Sequence, residues 1–562
     1  MSSPPAPRDA ARWLTPFATL IVAALVIAWC WFKEGDGVTL VFALATTFGF
    51  MAAVLLASRR LFFSSVVMAG MVGAVLALGW LKQARGDMIL HAWDIVEFVT
   101  APDIVSALWA DRRATLLGGM ACVAMFMALL AWLFRLERPL ARRLPAALAL
   151  ALCLGVGAYA GWARPVRAHM QYFWFDLHLA SFYGSFREAF EALPRGGLFT
   201  AATRSTEGPF PPDPICAPER KPPHILLIHE ESVMDPALFP DLRYDEGLKP
   251  FFRSDDGASH ALRVETYGGA SWLTEFSIFS GVSTNAFGSM RNFVQAFTTG
   301  KLRDALPRVL AGCGYRNLMF TPWDKTFMAV ARFYESIGFS EVIDRKSQGA
   351  GRDDERDRFY FGNALRRIED HVTTSRQPLF EFIETMSAHW PYDVVYMPEV
   401  AVPGGGPGTP AGMSEYLRRL AMIRMDDEWL RAELARRFPG ERFLLVRYGD
   451  HHPTATLPLL GKSEALSAEE AVFPPDSPAY VTFYAVNGVG YAPPPLPAIA
   501  TVDVGYLGAI LLAEAGLPAP PAWVERARLM MACDGRFWTC ADHDAILAFN
   551  RRLLDAGHIP SK

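Results

Sequence analysis

Charge is scarce in this sequence, and there is no concentrated basic tract. Charged residues make up 20% of the chain, hydrophobic residues 51%, and the formal net charge is −4. Proteins that bind nucleic acid present a basic patch or stripe to the phosphates, so nucleic acid is not an expected partner. No CxxC pair occurs among the seven cysteines, which disfavours a zinc ribbon. The glycine-rich stretch 404–408 lacks the Lys-Ser/Thr pair of a phosphate-binding P-loop.

The hydrophobic residues are concentrated before residue 165, in five runs long enough to cross a bilayer as helices. Such a span needs about 20 apolar residues. The first run lacks a convincing cleavage site and is followed at once by further runs, so it is interpreted as a span and not as a signal peptide. The predicted spans are residues 14–32, 38–58, 61–81, 115–134 and 144–162.

Basic residues in the short loops predict the direction of these spans. Arg8 and Arg12 precede the first span, Arg59 and Arg60 separate the second from the third, and four arginines within 135–143 separate the fourth from the fifth. Lysine and arginine accumulate in cytoplasmic loops. The N-terminus is therefore expected in the cytoplasm, and everything after the fifth span outside it.

The composition divides the chain into three parts. Residues 1–163 form the predicted transmembrane domain, residues 164–223 a juxtamembrane helix followed by a Pro-rich linker, and residues 224–562 a globular domain. Four cysteines lie beyond the spans, an even number that suits an oxidising compartment. Cys533 and Cys540 are close in sequence and are the best candidate for a disulfide, with free buried thiols as the alternative.

In the globular part, apolar runs typical of strands alternate with helical patterns. This alternation predicts an α/β domain with a mostly parallel sheet. The predicted strands are 224–229, 317–320, 379–386, 442–448 and 480–486, and the predicted helices are 301–312, 359–374, 414–437 and 502–515.

Three of these strands are followed by residues that can bind a metal ion. Glu231 follows the first, His389 the third, and Asp450 with His451 the fourth. A single glutamate or histidine in a loop is more often a solvated or hydrogen-bonding residue. Ligands of open α/β sheets bind at the carboxyl ends of strands, so three such endings together favour a metal site.

A fourth segment, 267–281, begins with Gly-Gly and continues as an apolar helical run. A hydroxyl at the start of such a helix lies where backbone N–H groups can hold a phosphate. Ser271 and Thr274 are the candidates, and an ordinary serine cap of the helix is the alternative.

Segments 224–232, 267–281, 385–392 and 444–453 resemble the alkaline-phosphatase/sulfatase superfamily. The likeness is greatest to the branch that holds lipoteichoic acid synthase and the phosphoglycerol transferase of periplasmic glucans. Five spans before an outward catalytic domain are also that family's layout. The resemblance implies a sulfatase-type α/β domain in the periplasm or outside the cell, anchored by multiple spans in a bacterial inner membrane.

The resemblance also assigns roles to individual residues. Glu231, Asp450 and His451 match the family's metal ligands, and His389 matches a histidine that contacts the substrate phosphate. Ser271 occupies the nucleophile position, where the family usually has threonine, and Thr274 replaces it if the register differs by one turn. With the Ser271 oxygen, this set has three oxygens and one nitrogen, which suits Zn²⁺ or Mn²⁺, with Mg²⁺ as an alternative.

The implied reaction is the transfer of a phosphoglycerol headgroup from a membrane phospholipid to an extracytoplasmic glycan or lipid acceptor, through a phosphoserine ester. Arg332 and Lys325 are further candidates for binding the phosphate. A phosphoethanolamine transferase acting on lipid A or a polysaccharide is the alternative. Leu273 and Glu275 replace the Pro and Arg that sulfatases need, which disfavours a sulfatase or phosphodiesterase-type hydrolase. An inactive membrane sensor on the same fold is a further alternative.

Overall fold

The computed structural model of the chain forms two compact units, Met1–Glu191 and Ala192–Lys562. The residues that the structure describes are 7–34, 37–86, 89–95, 102–140, 142–163, 178–192, 198–205, 207–218, 220–325, 330–352, 355–400, 412–466, 468 and 471–560.

The first unit contains five long apolar helices. Their stretches of 19 to 23 residues are long and apolar enough to cross a membrane, because a helix rises about 1.5 Å per residue. The prediction of five long apolar helices in this part of the chain is confirmed. The helices of this unit are α1 (Pro7–Lys33), α2 (Gly37–Ser58), α3 (Leu61–Gly86), α4 (Pro102–Leu136), α5 (Leu144–Ala163) and the shorter α6 (His178–Ala192).

Helix α6 is tied to the apolar helices by a buried carboxylate. Glu34, just after α1, accepts the backbone N–H groups of Leu179 and Ala180, each at 2.8 Å. These N–H groups have no partner within the helix, and a carboxylate at this end also complements the helix dipole. Of the predicted juxtamembrane segment, which begins at residue 164, residues 164–177 lie outside the described residues.

The second unit is built on one eight-stranded sheet. Its strands are β1 (His224–Glu230), β2 (His260–Arg263), β3 (Arg316–Phe320), β4 (Glu341–Ile343), β5 (Leu379–Glu384), β6 (Phe443–Gly449), β7 (Val481–Val489) and β8 (Thr501–Asp503). Its α-helices are α7 (Ser271–Ser280), α8 (Val294–Thr298), α9 (Leu306–Gly312), α10 (Val330–Ile337), α11 (Arg345–Gln348), α12 (Asp357–Thr374), α13 (Met413–Arg437), α14 (Leu507–Glu514), α15 (Pro521–Ala532) and α16 (His543–Asp555).

The strand order is β4-β3-β5-β1-β6-β7-β2-β8. The five strands from β4 to β6 are parallel, and β7 is antiparallel to both of its neighbours. The predicted α/β domain with a mostly parallel sheet is confirmed. Strands β2, β4 and β8 were not predicted, because three or four residues are too few to establish an alternating pattern. The predicted helix at 502–515 is wrong at its start, where 501–503 forms β8.

Strand β1 lies near the middle of the sheet and is buried along its whole length. On one face, Leu226 and Ile228 belong to a core that includes Tyr360 of α12 and Leu430 of α13. On the opposite face, the Phe382 ring of β5 meets Phe279 of α7, with ring centroids 5.0 Å apart. This packing brings the carboxyl end of β1 close to helix α7.

Candidate metal and nucleophile site

The predicted acidic residues lie at the ends of two neighbouring strands. Glu230 of β1 pairs in register with Gly449 of β6, so Glu231 and Asp450 leave the sheet side by side. A side chain at Gly449 would meet the Val233 carbonyl oxygen at 1.8 Å. The absence of that side chain therefore lets the loop after β1 close against β6.

The loop after β1 also orients the two carboxylates. The backbone N–H of Ser232 donates to Asp450 Oδ1 at 2.8 Å, and its hydroxyl donates to Glu231 Oε1 at 2.8 Å. Ser232 has a positive φ of 58°, a conformation that L-residues other than Asn and Asp seldom adopt. One residue thus fixes both carboxylates before any ligand binds.

Ser271 is the first residue of α7 and faces the same carboxylates. Its hydroxyl donates to Glu231 Oε2 at 3.3 Å and lies 3.4 Å from His451 Nε2. The residue before it, Ala270, is left-handed with φ 63°, which turns the chain sharply into the helix. The structure therefore brings Glu231, Ser271 and His451 together with Asp450.

Thr274, the alternative nucleophile, occupies a different place. It lies one turn further along α7, is fully buried, and donates its hydroxyl to the Asp450 carbonyl at 2.8 Å. That bond joins the helix to the loop after β6. Of the two hydroxyls, Ser271 is the one in hydrogen-bond contact with Glu231.

The donor atoms of this site fit a divalent cation. Asp450 Oδ2 is 3.1 Å from His451 Nε2 and 3.2 Å from His229 Nε2, yet it is completely buried and makes no hydrogen bond. Buried polar atoms are normally hydrogen-bonded, so a carboxylate oxygen without a hydrogen bond, among imidazoles and a second carboxylate, suits metal ligation. One ligand atom from each of His229, Glu231 and Asp450 lies within 4.8 Å of the others.

Charge at the site keeps the carboxylate of Glu231 ionised. Burial alone would raise its pKa, but His451, His229 and His389 lower the pKa of Glu231 below its usual value. Opposite charges nearby favour the charged form of an acid. Glu231 is therefore an anion at neutral pH, the form that binds a cation.

The sequence did not identify His229 as a site residue. Its Nε2 faces Glu231 and Asp450, while its Nδ1 lies 3.2 Å from Glu275 Oε1 and 3.1 Å from the Tyr448 hydroxyl. Successive strand residues face opposite sides, so residues 229 and 231 share a face of the sheet. That alternation could have identified His229 as a candidate site residue from the sequence. Burial lowers the pKa of His229, but Tyr448, Asp450 and Glu231 together raise it well above its usual value.

His389 lies in the loop after β5 and is half-buried. Its ring contacts Trp323 edge-on, with centroids 6.1 Å apart. It lines a cavity of about 750 Å³ that Gly268, Trp390 and Tyr392 also line. Gly268 belongs to the turn that leads into Ser271, so this cavity lies next to the start of α7.

A buried arginine holds the His389 loop in place, and the sequence did not reveal it. Arg419 of α13 donates to the carbonyl oxygens of His389 at 2.6 Å and Pro391 at 2.8 Å. Its guanidinium also stacks over the Tyr392 ring. In the sequence, Arg419 looks like the other arginines of α13, many of which lie at the surface. Only its burial among these carbonyl oxygens distinguishes it.

Two predicted phosphate-binding residues lie elsewhere. Arg332 and Lys325 are both exposed, and the backbone N–H of Lys325 donates to Asp344 Oδ2 at 3.3 Å. Within the part of the chain that the structure describes, neither side chain contacts Ser271, Glu231 or Asp450. The structure does not bring these two residues to the site.

The cysteines of the second unit form two disulfides. Cys533 is bonded to Cys540, and Cys216 to Cys313. The second pair is separated by 97 residues, and no local pattern in the sequence points to it. Disulfides form and persist in oxidising compartments.

A family model described as Sulfatase matches residues 223–470. These residues include Glu231, Ser271, His389, Asp450 and His451. The resemblance to the alkaline-phosphatase/sulfatase superfamily predicted from the sequence is confirmed for this part of the chain.

Individual relatives are distant. An uncharacterized protein of Haemophilus influenzae is 22% identical over 334 residues, covering 57% of this chain and 58% of the relative, so the chain spans less than two thirds of that curated protein. The structure of the Streptococcus pyogenes phosphoglycerol transferase GacH in complex with sn-glycerol-1-phosphate is 14% identical, with a TM-score of 0.46, covering 59% of this chain and 85% of that one. The integral membrane lipooligosaccharide phosphoethanolamine transferase A of Neisseria meningitidis is 11% identical, with a TM-score of 0.39, covering 90% and 95%.

Proposed function

We propose that this protein transfers the phosphoglycerol headgroup of a membrane phospholipid to an extracytoplasmic glycan or lipid acceptor. One observation carries the proposal. The Ser271 hydroxyl begins helix α7 at 3.3 Å from Glu231 and 3.4 Å from His451, and Asp450 lies beside both. A hydroxyl among metal-capable donors is the arrangement that makes serine a nucleophile toward phosphorus.

Glu231, Asp450, His451 and the Ser271 oxygen would hold one divalent cation, with His229 as a further donor. A bound Zn²⁺ or Mn²⁺ supplies two effects, a lower pKa for the serine hydroxyl and a polarised phosphoryl oxygen. The helix start favours the same substrate, because the positive end of the α7 dipole attracts an anionic phosphodiester.

In the first half-reaction, Ser271 Oγ loses its proton and forms a bond to the phosphorus. The bond between the phosphorus and the diacylglycerol oxygen breaks, and that oxygen takes up one proton. The products are a phosphoglycerol ester of Ser271 and diacylglycerol. In the second half-reaction, an acceptor hydroxyl attacks the same phosphorus, loses its proton, and releases Ser271 with its hydroxyl restored.

His389 is the residue proposed to contact the phosphoryl group and to donate the proton to the leaving oxygen. It lines the cavity beside the nucleophile helix, and its charge acts on Glu231. A histidine is suited to this role because its pKa lies near neutral pH.

The proposed location is a bacterial inner membrane, with the N-terminus in the cytoplasm and the sulfatase-type domain outside. The excess of arginine in the loops expected to be cytoplasmic supports this direction. The two disulfides of the second unit support an oxidising compartment. The predicted domain limits at residues 163 and 223 are part of the same proposal.

The test is mass spectrometry of the full chain in detergent, loaded with Mn²⁺ or Zn²⁺ and incubated with phosphatidylglycerol or phosphatidylethanolamine. We expect an adduct of about 154 Da on Ser271 with phosphatidylglycerol, the mass of glycerophosphate minus water. Ser271→Ala should lose the adduct, and Ser280→Ala, at the far end of α7, should keep it. An adduct of about 123 Da formed only with phosphatidylethanolamine would replace the proposed donor. No adduct with either lipid would overturn the transferase proposal.

A further inference from the structure

A second group of metal-capable side chains lies behind the proposed nucleophile site. His229 of β1 and Glu384 of β5 are register partners on neighbouring parallel strands. Glu275 of α7 lies one helical turn beyond Ser271, with its Oε1 at 3.2 Å from His229 Nδ1. Three separate elements of the fold therefore converge on one point, and all three side chains are buried.

The spacing suits a cation. One ligand atom from each of these three residues lies within 4.8 Å of the others. Ligands on a tetrahedral ion with bonds of about 2.1 Å lie about 3.4 Å apart. Two tyrosines supply further oxygens at the edge of the group, because Tyr448 lies 3.1 Å from His229 Nδ1 and Tyr334 donates its hydroxyl to Glu275.

In the described part of the chain, this group has one basic side chain, His229, for two carboxylates. Glu275 and Glu384 are two carboxylates in a buried site, and Glu384 Oε2 has no hydrogen-bond partner. Among the described residues, no lysine or arginine forms an ion pair with either carboxylate, and His229 is shared with Glu231 and Asp450. Buried carboxylates are stable only when paired, protonated or bound to metal.

We propose that Glu275, Glu384 and Nδ1 of His229 form a second divalent-cation site, of the Zn²⁺ or Mn²⁺ class, behind the first. The His229 imidazole lies between the two sites and offers one nitrogen to each. The second site is buried and structural, since a cation there would hold Glu275 and with it the first turn of α7. The inference concerns metal stoichiometry and does not depend on the reaction proposed for Ser271.

The measurement is the number of Zn²⁺ ions bound by the full chain in detergent, determined by native mass spectrometry after chelation and reloading. We expect two ions in the wild type. Asp450→Asn, which alters only the first site, should retain one, and Glu384→Gln should also retain one.

Glu381→Gln is the matched control, because Glu381 is another fully buried glutamate of β5 whose oxygens have no partner. Glu381 lies three residues from Glu384, on the opposite face of the strand. The Glu381→Gln variant should therefore still bind two ions. The second site would be overturned if the wild type binds a single ion and Asp450→Asn binds none. This result can be obtained even if the Glu384→Gln variant does not fold. Two ions with no adduct on Ser271 would overturn the transferase and leave the second site standing.

Discussion

Arg419 donates a guanidinium N–H to the backbone carbonyl of His389 at 2.6 Å, from a helix 30 residues further along the chain. A second N–H of the same group reaches the Pro391 carbonyl at 2.8 Å. The planar fork of arginine can serve both carbonyls at once, whereas the single ammonium of lysine cannot. The orientation of His389 in the cavity thus depends on α13.

Arg419→Lys is expected to lower the kcat/KM for headgroup transfer by about tenfold, because losing one hydrogen bond from a charged donor costs about 1.5 kcal/mol. The bound-metal count should not change, since Arg419 contacts none of the proposed ligands. Steady-state kinetics and metal analysis of the same sample provide the measurement. Arg418→Lys is the control, as Arg418 contacts Glu415 and the Val400 carbonyl instead. Equal losses in both variants would contradict a role specific to the His389 loop.

Ser271→Thr and Ser271→Ala should behave differently. Threonine keeps a hydroxyl at the start of α7, so measurable transfer should remain, whereas alanine should lower kcat at least about 1000-fold. Headgroup release assayed with labelled lipid gives both numbers.

Thr274→Val should still form the adduct on Ser271 but should unfold more easily, because the buried Asp450 carbonyl loses its donor at a cost of about 1–3 kcal/mol. An adduct at any position other than 271 in any of these proteins would refute the assignment.

Asp357 should make stability fall as the pH rises toward neutral. Burial, and then Asp426, raise the pKa of Asp357 to about 7, so the folded state holds this proton more tightly than the unfolded chain does. Its contribution is complete below about pH 4 and is lost as the pH rises through 7, at about 1.4 kcal/mol per pH unit.

Asp357→Asn should remove this slope. The amide oxygen can still accept the backbone N–H groups of Met386 and Ser387, and Asp357 Oδ2 has no partner to lose. The test is the difference in Tm between variant and wild type from pH 4 to 8, which should grow in favour of the variant. Asp370→Asn, on the exposed side of the same helix, should show no such trend. Parallel profiles for Asp357→Asn and the wild type would show that this carboxyl titrates normally.

Removing the two disulfides should have unequal effects. In the chain-entropy account, a loop closed over 97 residues is worth about 5 kcal/mol and one closed over 7 residues about 2 kcal/mol. Changing Cys216 and Cys313 together to alanine should therefore lower the Tm more than changing Cys533 and Cys540. Thermal unfolding of the two double variants tests the order, and a reversed order would contradict it.

A membrane-impermeant thiol reagent should distinguish the two sides of the membrane. In a background lacking the three free cysteines, Cys30, Cys122 and Cys153, Ser463→Cys should be labelled in cells whose outer membrane has been permeabilised. Ser3→Cys should be labelled only after lysis, because the orientation proposed from the arginine bias has the N-terminus inside. The opposite pattern would reverse the proposed topology.

The membrane helices and the main strands were predictable because each depends on properties local to its own segment. An apolar run such as 38–58 specifies a span whatever the rest of the chain does. Strands β1 and β6 were visible as apolar runs, and the polar residues after them indicated the metal-capable edge of the sheet. Strand β8 was not predictable, because its three residues extend only through pairing with β2.

The sequence alone sufficed for five apolar spans and an α/β domain, since each depends on contiguous segments. The grouping of Glu231, Ser271, Asp450 and His451 into one hypothesis came from the resemblance of four contiguous motifs to the alkaline-phosphatase/sulfatase superfamily. Tertiary structure alone decided that Ser271 and not Thr274 meets Glu231, that His229 faces two acidic groups, and that Cys216 pairs with Cys313. These relationships depend on strand register and on the packing of segments that are far apart in the sequence. For example, His451 in the loop after β6 meets Glu231 in the loop after β1, 220 residues away. No periodicity within a single segment encodes such distances.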